Sequence, residues 1–130
     1  QTGKAIKIVQ NNLTNEPQKT KAHLAHLGQL SIEVKEQLAK NDVFGLGRSL
    51  NSAQKHLNAI GVSSQNLEDL IHLALQNGSL GSKLTGGGRG GCFINLTKNR
   101  ATAEKLAAVL QKHGVTKSWI QPLSSEIGGL

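Results

Sequence analysis

The stretch Gly81-Ser82-Lys83-Leu84-Thr85-Gly86-Gly87-Gly88-Arg89-Gly90-Gly91-Cys92-Phe93-Ile94-Asn95-Leu96 decides how this chain folds. Between positions 86 and 91 five of six residues are glycine, and the sixth is Arg89. Glycine loses more conformational freedom on folding than any other residue. A folded domain that keeps so many together is using what only glycine offers: positive φ angles, or bare backbone N–H groups that a ligand can approach closely. Successive N–H groups of this kind form a nest for anions, and Arg89 adds a full charge on a planar fork of donors. A flexible linker is the plain alternative. Linkers are rich in serine and lack apolar flanks, whereas here the apolar run from Cys92 to Leu96 follows at once. The stretch therefore reads as a strand over 80–85, a pinned loop, and a second strand over 92–97. In the second strand Cys92, Ile94 and Leu96 share one face.

Upstream of this stretch the chain reads as helical. Ala5, Ile6, Val9 and Leu13 fall at helical spacing, with Thr2 as a cap, and predict a helix over 3–14. Pro17 suits the first turn of a second helix over 17–40, whose inner face carries Leu27, Leu30, Val34 and Leu38. Asn41-Asp42 caps a third helix over 42–60. Its stripe of Val43, Leu46, Leu50, Ala53, Leu57 and Ile60 steps by three and four throughout. Gly45 and Gly47 weaken its first turn by about 1 kcal/mol each relative to Ala, and their small size permits close packing. Gly61 ends this helix as a C-cap. Ser63, Ser64 or Asn66 starts a fourth over 65–77, with Leu67, Leu70, Ile71, Ala74 and Leu75 inward. Downstream of the glycines, Asn99 caps a fifth helix over 99–113, with Ala103, Leu106, Ala107 and Leu110 inward. Gly114 stops it, and a strand over 115–121 carries Trp119 and Ile120. Helices segregated from a small sheet make one α+β domain over 1–130, a helical hairpin against an antiparallel sheet of ferredoxin-like type. Three strands are few for five helices, so an additional strand is expected upstream of Gln1.

Composition narrows the partners. The 130 residues carry a net charge of +7, which favours anions such as nucleotides or phosphorylated metabolites. Lys and Arg are scattered, and two Phe with one Trp leave no stacking platform, so nucleic acid is not expected. No apolar run reaches membrane-spanning length. A single cysteine rules out an internal disulfide and suggests either a reducing compartment or simple indifference; a cytoplasmic location is expected.

Gly86-x-Gly88-x-x-Gly91 formally matches the dinucleotide fingerprint, but that motif needs a helix after the loop, and here a strand follows. No Gly-Lys-Ser/Thr closes a Walker A loop either. A strand–loop–strand anion cradle remains, with Lys83, Thr85 and Arg89 as its nearest polar side chains. Cys92 opens an apolar strand without a neighbouring base, which reads as a small hydrophobe rather than a nucleophile. His23 and His26 have a metal-ligand spacing, but no second cluster completes a site, so no metal site is assigned and they read as surface or packing histidines. Asp42, Asp69, Glu33, Glu36 and Glu68 read as caps and helix-surface charges. No catalytic group is placed in this chain.

The segment from Gly81 to Cys92 resembles the third motif of the GHMP kinases, the galactokinase, homoserine kinase, mevalonate kinase and phosphomevalonate kinase superfamily. Within it the likeness is strongest to the mevalonate kinases, especially the bacterial form. Leu27-Gly28-Gln29-Leu30, Leu46-Gly47, His56-Leu57, Ile60-Gly61-Val62-Ser63 and Lys117-Ser118-Trp119-Ile120 extend it over nearly the whole chain. The resemblance implies the C-terminal α+β domain of a two-domain enzyme. The N-terminal kinase domain, with the catalytic Asp, a Lys and the Mg²⁺ ligands, has no counterpart here. Gln1-Thr2 resembles the point just after a family Asp-Thr-Gly turn, which accounts for the expected extra strand. The implied reaction is ATP- and Mg²⁺-dependent transfer of the γ-phosphate to mevalonate, giving 5-phosphomevalonate for isoprenoid biosynthesis. Thr85, Gly86, Gly87, Gly88, Arg89, Gly90 and Gly91 would then face ATP or substrate, with Thr2 and Lys83 as further candidates. The family often has Ala at the position of Gly87 and Gly at that of Arg89. An arginine there either contacts phosphate or points away. The chain alone is expected to be inactive, and its helix hairpin offers a face for a homodimer. Another GHMP kinase C-terminal domain, or a free-standing module binding an anionic metabolite, are the alternative readings.

Overall fold

The structure, a computed structural model, describes residues 2–85 and 92–123. Five helices and two strands follow in the order α1 (Thr2–Asn15), α2 (Pro17–Ala39), α3 (Val43–Ala59), α4 (Gln65–Gln76), β1 (Ser79–Leu84), β2 (Phe93–Thr97) and α5 (Arg100–Lys112). Local chemistry sets most of these boundaries. The Asp42 carboxylate accepts from the Gly45 N–H, the Ser64 hydroxyl oxygen from Leu67 N–H, and the Asn99 carbonyl from Thr102 N–H, so three helices begin on side-chain caps. Three helices stop where glycine enters the left-handed region, at Gly61 (φ 87°), Gly78 (φ 103°) and Gly114 (φ 103°). Pro17 starts α2 at a position where its missing N–H costs nothing.

The third helix is the centre of the molecule, packed on α2 along one side and on β1 along the other. Its stripe is inward throughout: Leu46, Leu50, Ala53 and Ile60 are buried, and Val43 and Leu57 half-buried. Ile60, Val62, Leu67, Ile71 and Leu84 form one core cluster, and Ala74, Leu106 and Leu110 a second. Phe93 packs against both and joins them.

The helix comes unusually close to the strand. A Cβ placed on Gly47 would lie 2.5 Å from the Leu80 carbonyl oxygen, and one on Gly81 would overlap the Gly47 backbone. Gly45 differs, because the space its Cβ would need is filled by the Asp42 carboxylate that caps the helix.

The sheet has two antiparallel strands, with Leu84 opposite Phe93, Lys83 opposite Ile94, and a bulge between Ser79 and Gly81. Several expectations fail here. The strand expected over 115–121 is neither strand nor helix. A strand needs a partner edge, and the outer edge of β1 is occupied by α3. The Val115 N–H instead closes the end of α5 on the Leu110 carbonyl at 3.1 Å, and Trp119 is 84% exposed. In β2 the residue that enters the core is Phe93, whereas Cys92 precedes the strand and is exposed. Leu75, expected inward, is exposed because α4 directs Leu67, Ile71 and Ala74 at the core. Thr2 already belongs to α1 rather than capping it.

Two glycine-to-alanine substitutions separate close packing from helix propensity. Gly47→Ala gains about 1 kcal/mol of propensity but incurs an overpacking cost of about 1–3 kcal/mol, so the melting temperature falls. Gly28 sits inside α2 with nothing within 4 Å of its would-be Cβ, so Gly28→Ala raises stability by about 0.5–1 kcal/mol. Thermal unfolding followed by circular dichroism checks both signs.

Candidate functional site

The two residues that flank the glycine stretch are tied together at the end of a β-hairpin. The Thr85 N–H donates to the Cys92 carbonyl at 3.1 Å, one rung beyond the Leu84–Phe93 pair. A strand, not a helix, follows the loop, which removes the dinucleotide-binding geometry. Gly86, Gly87, Gly88, Arg89, Gly90 and Gly91 lie outside the described residues, as does the side chain of Thr2. Of the other expected site residues, Thr85 is exposed at the root of the loop. Lys83 is half-buried, and its ammonium group donates to the Leu84 carbonyl at 3.0 Å. Burial holds its pKa below the usual lysine value.

The edge of β1 that points away from β2 is satisfied by side chains of α3. Asn51 Nδ2 donates to the Leu80 carbonyl at 3.2 Å, and its Oδ1 accepts from the Ser82 N–H at 2.9 Å. One turn on, Gln54 Oε1 accepts from the Leu84 N–H at 2.8 Å. The Gln54 amide nitrogen donates to Ser63 Oγ at 3.2 Å and to Glu68 Oε2 at 2.6 Å, and Ser63 Oγ donates to the same carboxylate oxygen at 2.6 Å. Sequence reading missed Asn51, Gln54 and Ser63 as positioning groups, and it placed Glu68 among helix-surface charges. The only available signal was two amides three residues apart on the buried face of a helix.

His23 and His26 do meet a third histidine, supplied by α3. His23 Nδ1 and His56 Nδ1 are 2.8 Å apart, and the His26 ring stacks on His56 at 4.8 Å with the planes 5° apart. Their sequence separation hid this cluster. Among the described residues no group of three or more His, Cys, Asp or Glu could hold a metal ion. Among the described residues, no helix is long and apolar enough to cross a membrane.

The described residues form a β-hairpin packed against helices, with no metal-binding group among them. Residues 34–116 match the family described as GHMP kinases C terminal. The chain belongs to that family. Among the GHMP kinase relatives, mevalonate kinase of Pyrococcus horikoshii is 34% identical over 115 residues, 82% of this chain and 34% of that protein. Mevalonate kinase of Mus musculus is 31% identical over 119 residues, 84% of this chain and 30% of that protein. The chain thus spans about a third of the length of these relatives. The crystal structure of L. major mevalonate kinase in complex with R-mevalonate superposes with a TM-score of 0.81 at 26% identity, over 86% of this chain and 34% of that one. Mevalonate kinase from Staphylococcus aureus MRSA252 superposes with a TM-score of 0.71 at 30% identity, over 80% of this chain and 35% of that one.

In this GHMP kinase C-terminal domain the histidine cluster predicts a pH dependence. Desolvation, then repulsion from His26 and from His23, lowers the His56 pKa below 6.5. The unfolded chain therefore takes up a proton more readily than the folded one. The stabilising contribution is present above pH 6.5 and is lost as pH falls below it through the folded-state pKa. Urea unfolding between about pH 7.5 and 5.5 shows stability falling with acid, and His56→Gln gives a flatter profile.

Proposed function

We propose that this chain is the C-terminal domain of a mevalonate kinase and supplies the glycine-rich wall of its active site. The whole enzyme transfers the γ-phosphate of ATP to the primary alcohol of mevalonate, giving 5-phosphomevalonate, in the cytoplasm. The observation that carries this reading is the tied glycine hairpin in a chain that matches mevalonate kinases over most of its own length. Phosphoryl transfer relies on positioning and charge stabilisation more than on covalent chemistry. Gly86, Gly87, Gly88, Gly90 and Gly91 offer backbone N–H groups without side chains for close approach to the phosphates, and Arg89 supplies a charge to pair with them. Thr85 and Lys83 stand at the root of the same loop, and Thr2 at the start of α1 is a further candidate. Mg²⁺, when bound, neutralises phosphate charge. Its ligands and the catalytic groups belong to the N-terminal domain, which is this chain's obligate partner.

Reconstitution tests the reading. The 130-residue chain alone shows no ATP turnover with mevalonate, and mixing it with a mevalonate kinase N-terminal domain restores turnover. Phosphorylation of mevalonate by the chain alone overturns the proposal, as does a mixture that favours galactose or phosphomevalonate. In the active mixture Arg89→Ala raises KM for ATP about tenfold through the loss of one charge-assisted hydrogen bond.

A further inference from the structure

We infer that Glu68, acting through Gln54, is a positioning residue that fixes the end of β1 at Leu84. The inference rests on the kinase reading above for its effect on turnover, though not for its effect on the backbone. Gln54 is 4% exposed and Ser63 5% exposed, and among the described residues their side chains bond to each other, to Glu68 and to the strand.

A primary amide is nearly symmetric in shape but opposite in chemistry at its two ends. An ionised carboxylate only accepts hydrogen bonds. Glu68 Oε2 at 2.6 Å therefore requires the NH₂ end of Gln54 to face it, and Ser63 Oγ accepts from that same NH₂. With the NH₂ end committed, the carbonyl end faces the Leu84 N–H. Leu84 is the last residue of β1, and Thr85, next along, is tied to Cys92 across the loop. The carboxylate on α4 thus dictates the amide orientation on α3, and the amide sets the backbone from which the glycines spring. A flipped Gln54 would place two donors face to face at Leu84 and release the strand end.

Asn51 provides an internal control, because it holds Ser82 and Leu80 of the same strand without contact to Glu68 in the hydrogen-bond network. Reaction geometry is sensitive to such release, since a misplacement of about 1 Å can cost about a hundredfold in rate.

Glu68→Leu removes the acceptor, and Glu68→Gln keeps one. Amide hydrogen exchange on the chain itself is the first measurement. In Glu68→Leu the Leu84 amide exchanges about tenfold faster while the Ser82 amide is unchanged, and Glu68→Gln restores most of the protection. In the reconstituted kinase Glu68→Leu lowers kcat about tenfold or more with KM for ATP little changed, and Glu68→Gln recovers it. Unchanged Leu84 exchange in Glu68→Leu overturns the network. Equal acceleration at Ser82 and Leu84 also overturns it, because that is general loosening of the fold. Faster Leu84 exchange with unchanged kcat overturns the positioning role and leaves a structural one. A wild-type mixture with no turnover counts against the kinase reading, and the exchange data then decide the network by themselves.

Discussion

Backbone meets backbone where α3 crosses β1, and the rest of the structure depends on that closeness. Gly47 and Gly81 leave no room for a Cβ between helix and strand. At this distance the short side chains of Asn51 and Gln54 reach the strand's own N–H and C=O groups. A strand edge left unpaired is costly inside a protein and an aggregation hazard outside one. Here a helix does the work of a neighbouring strand, using amides that mimic the peptide group. Larger residues at either glycine would push the helix out of hydrogen-bond range.

The same contact gives the glycine loop its foundation. Six residues with this composition have little intrinsic preference for one conformation. The residues on either side of them are held. Thr85 and Cys92 are tied to each other, and Leu84 is tied sideways to α3. Lys83 adds its ammonium group to the Leu84 carbonyl, so Leu84 is bonded through both its N–H and its C=O. Under the reading proposed above, fixed flanks lower the cost of ordering the glycine stretch around an anion.

Much of this architecture was legible in the residues. Asp42, Ser64 and Asn99 announce helix starts because a short polar side chain satisfies an orphan N–H two or three residues on. Gly61, Gly78 and Gly114 announce the stops, since each takes a positive φ that other residues avoid. The α3 stripe could be read outright, because a helix buried along one face writes its period into the sequence. The failures have a common cause. Trp119 lies in a segment whose local pattern suits a strand, but no edge among the described residues receives it. Leu75 fits the periodic pattern of its helix, yet it is exposed because α4 turns Leu67, Ile71 and Ala74 to the core, and Cys92 falls just before β2 begins.

By itself the sequence determined the helices, the caps at Asp42, Ser64 and Asn99, the strand–glycine–strand order and the likeness to GHMP kinases. These follow from interactions within a few residues, or from motifs that are contiguous in the chain. Only the tertiary structure decided that α3 replaces a strand beside β1, that His56 joins His23 and His26, and that Glu68 reaches Gln54 and Ser63. Those pairings join residues that are distant or on different elements. Their energetics depend on the distance between packed backbones, a quantity that no local pattern contains.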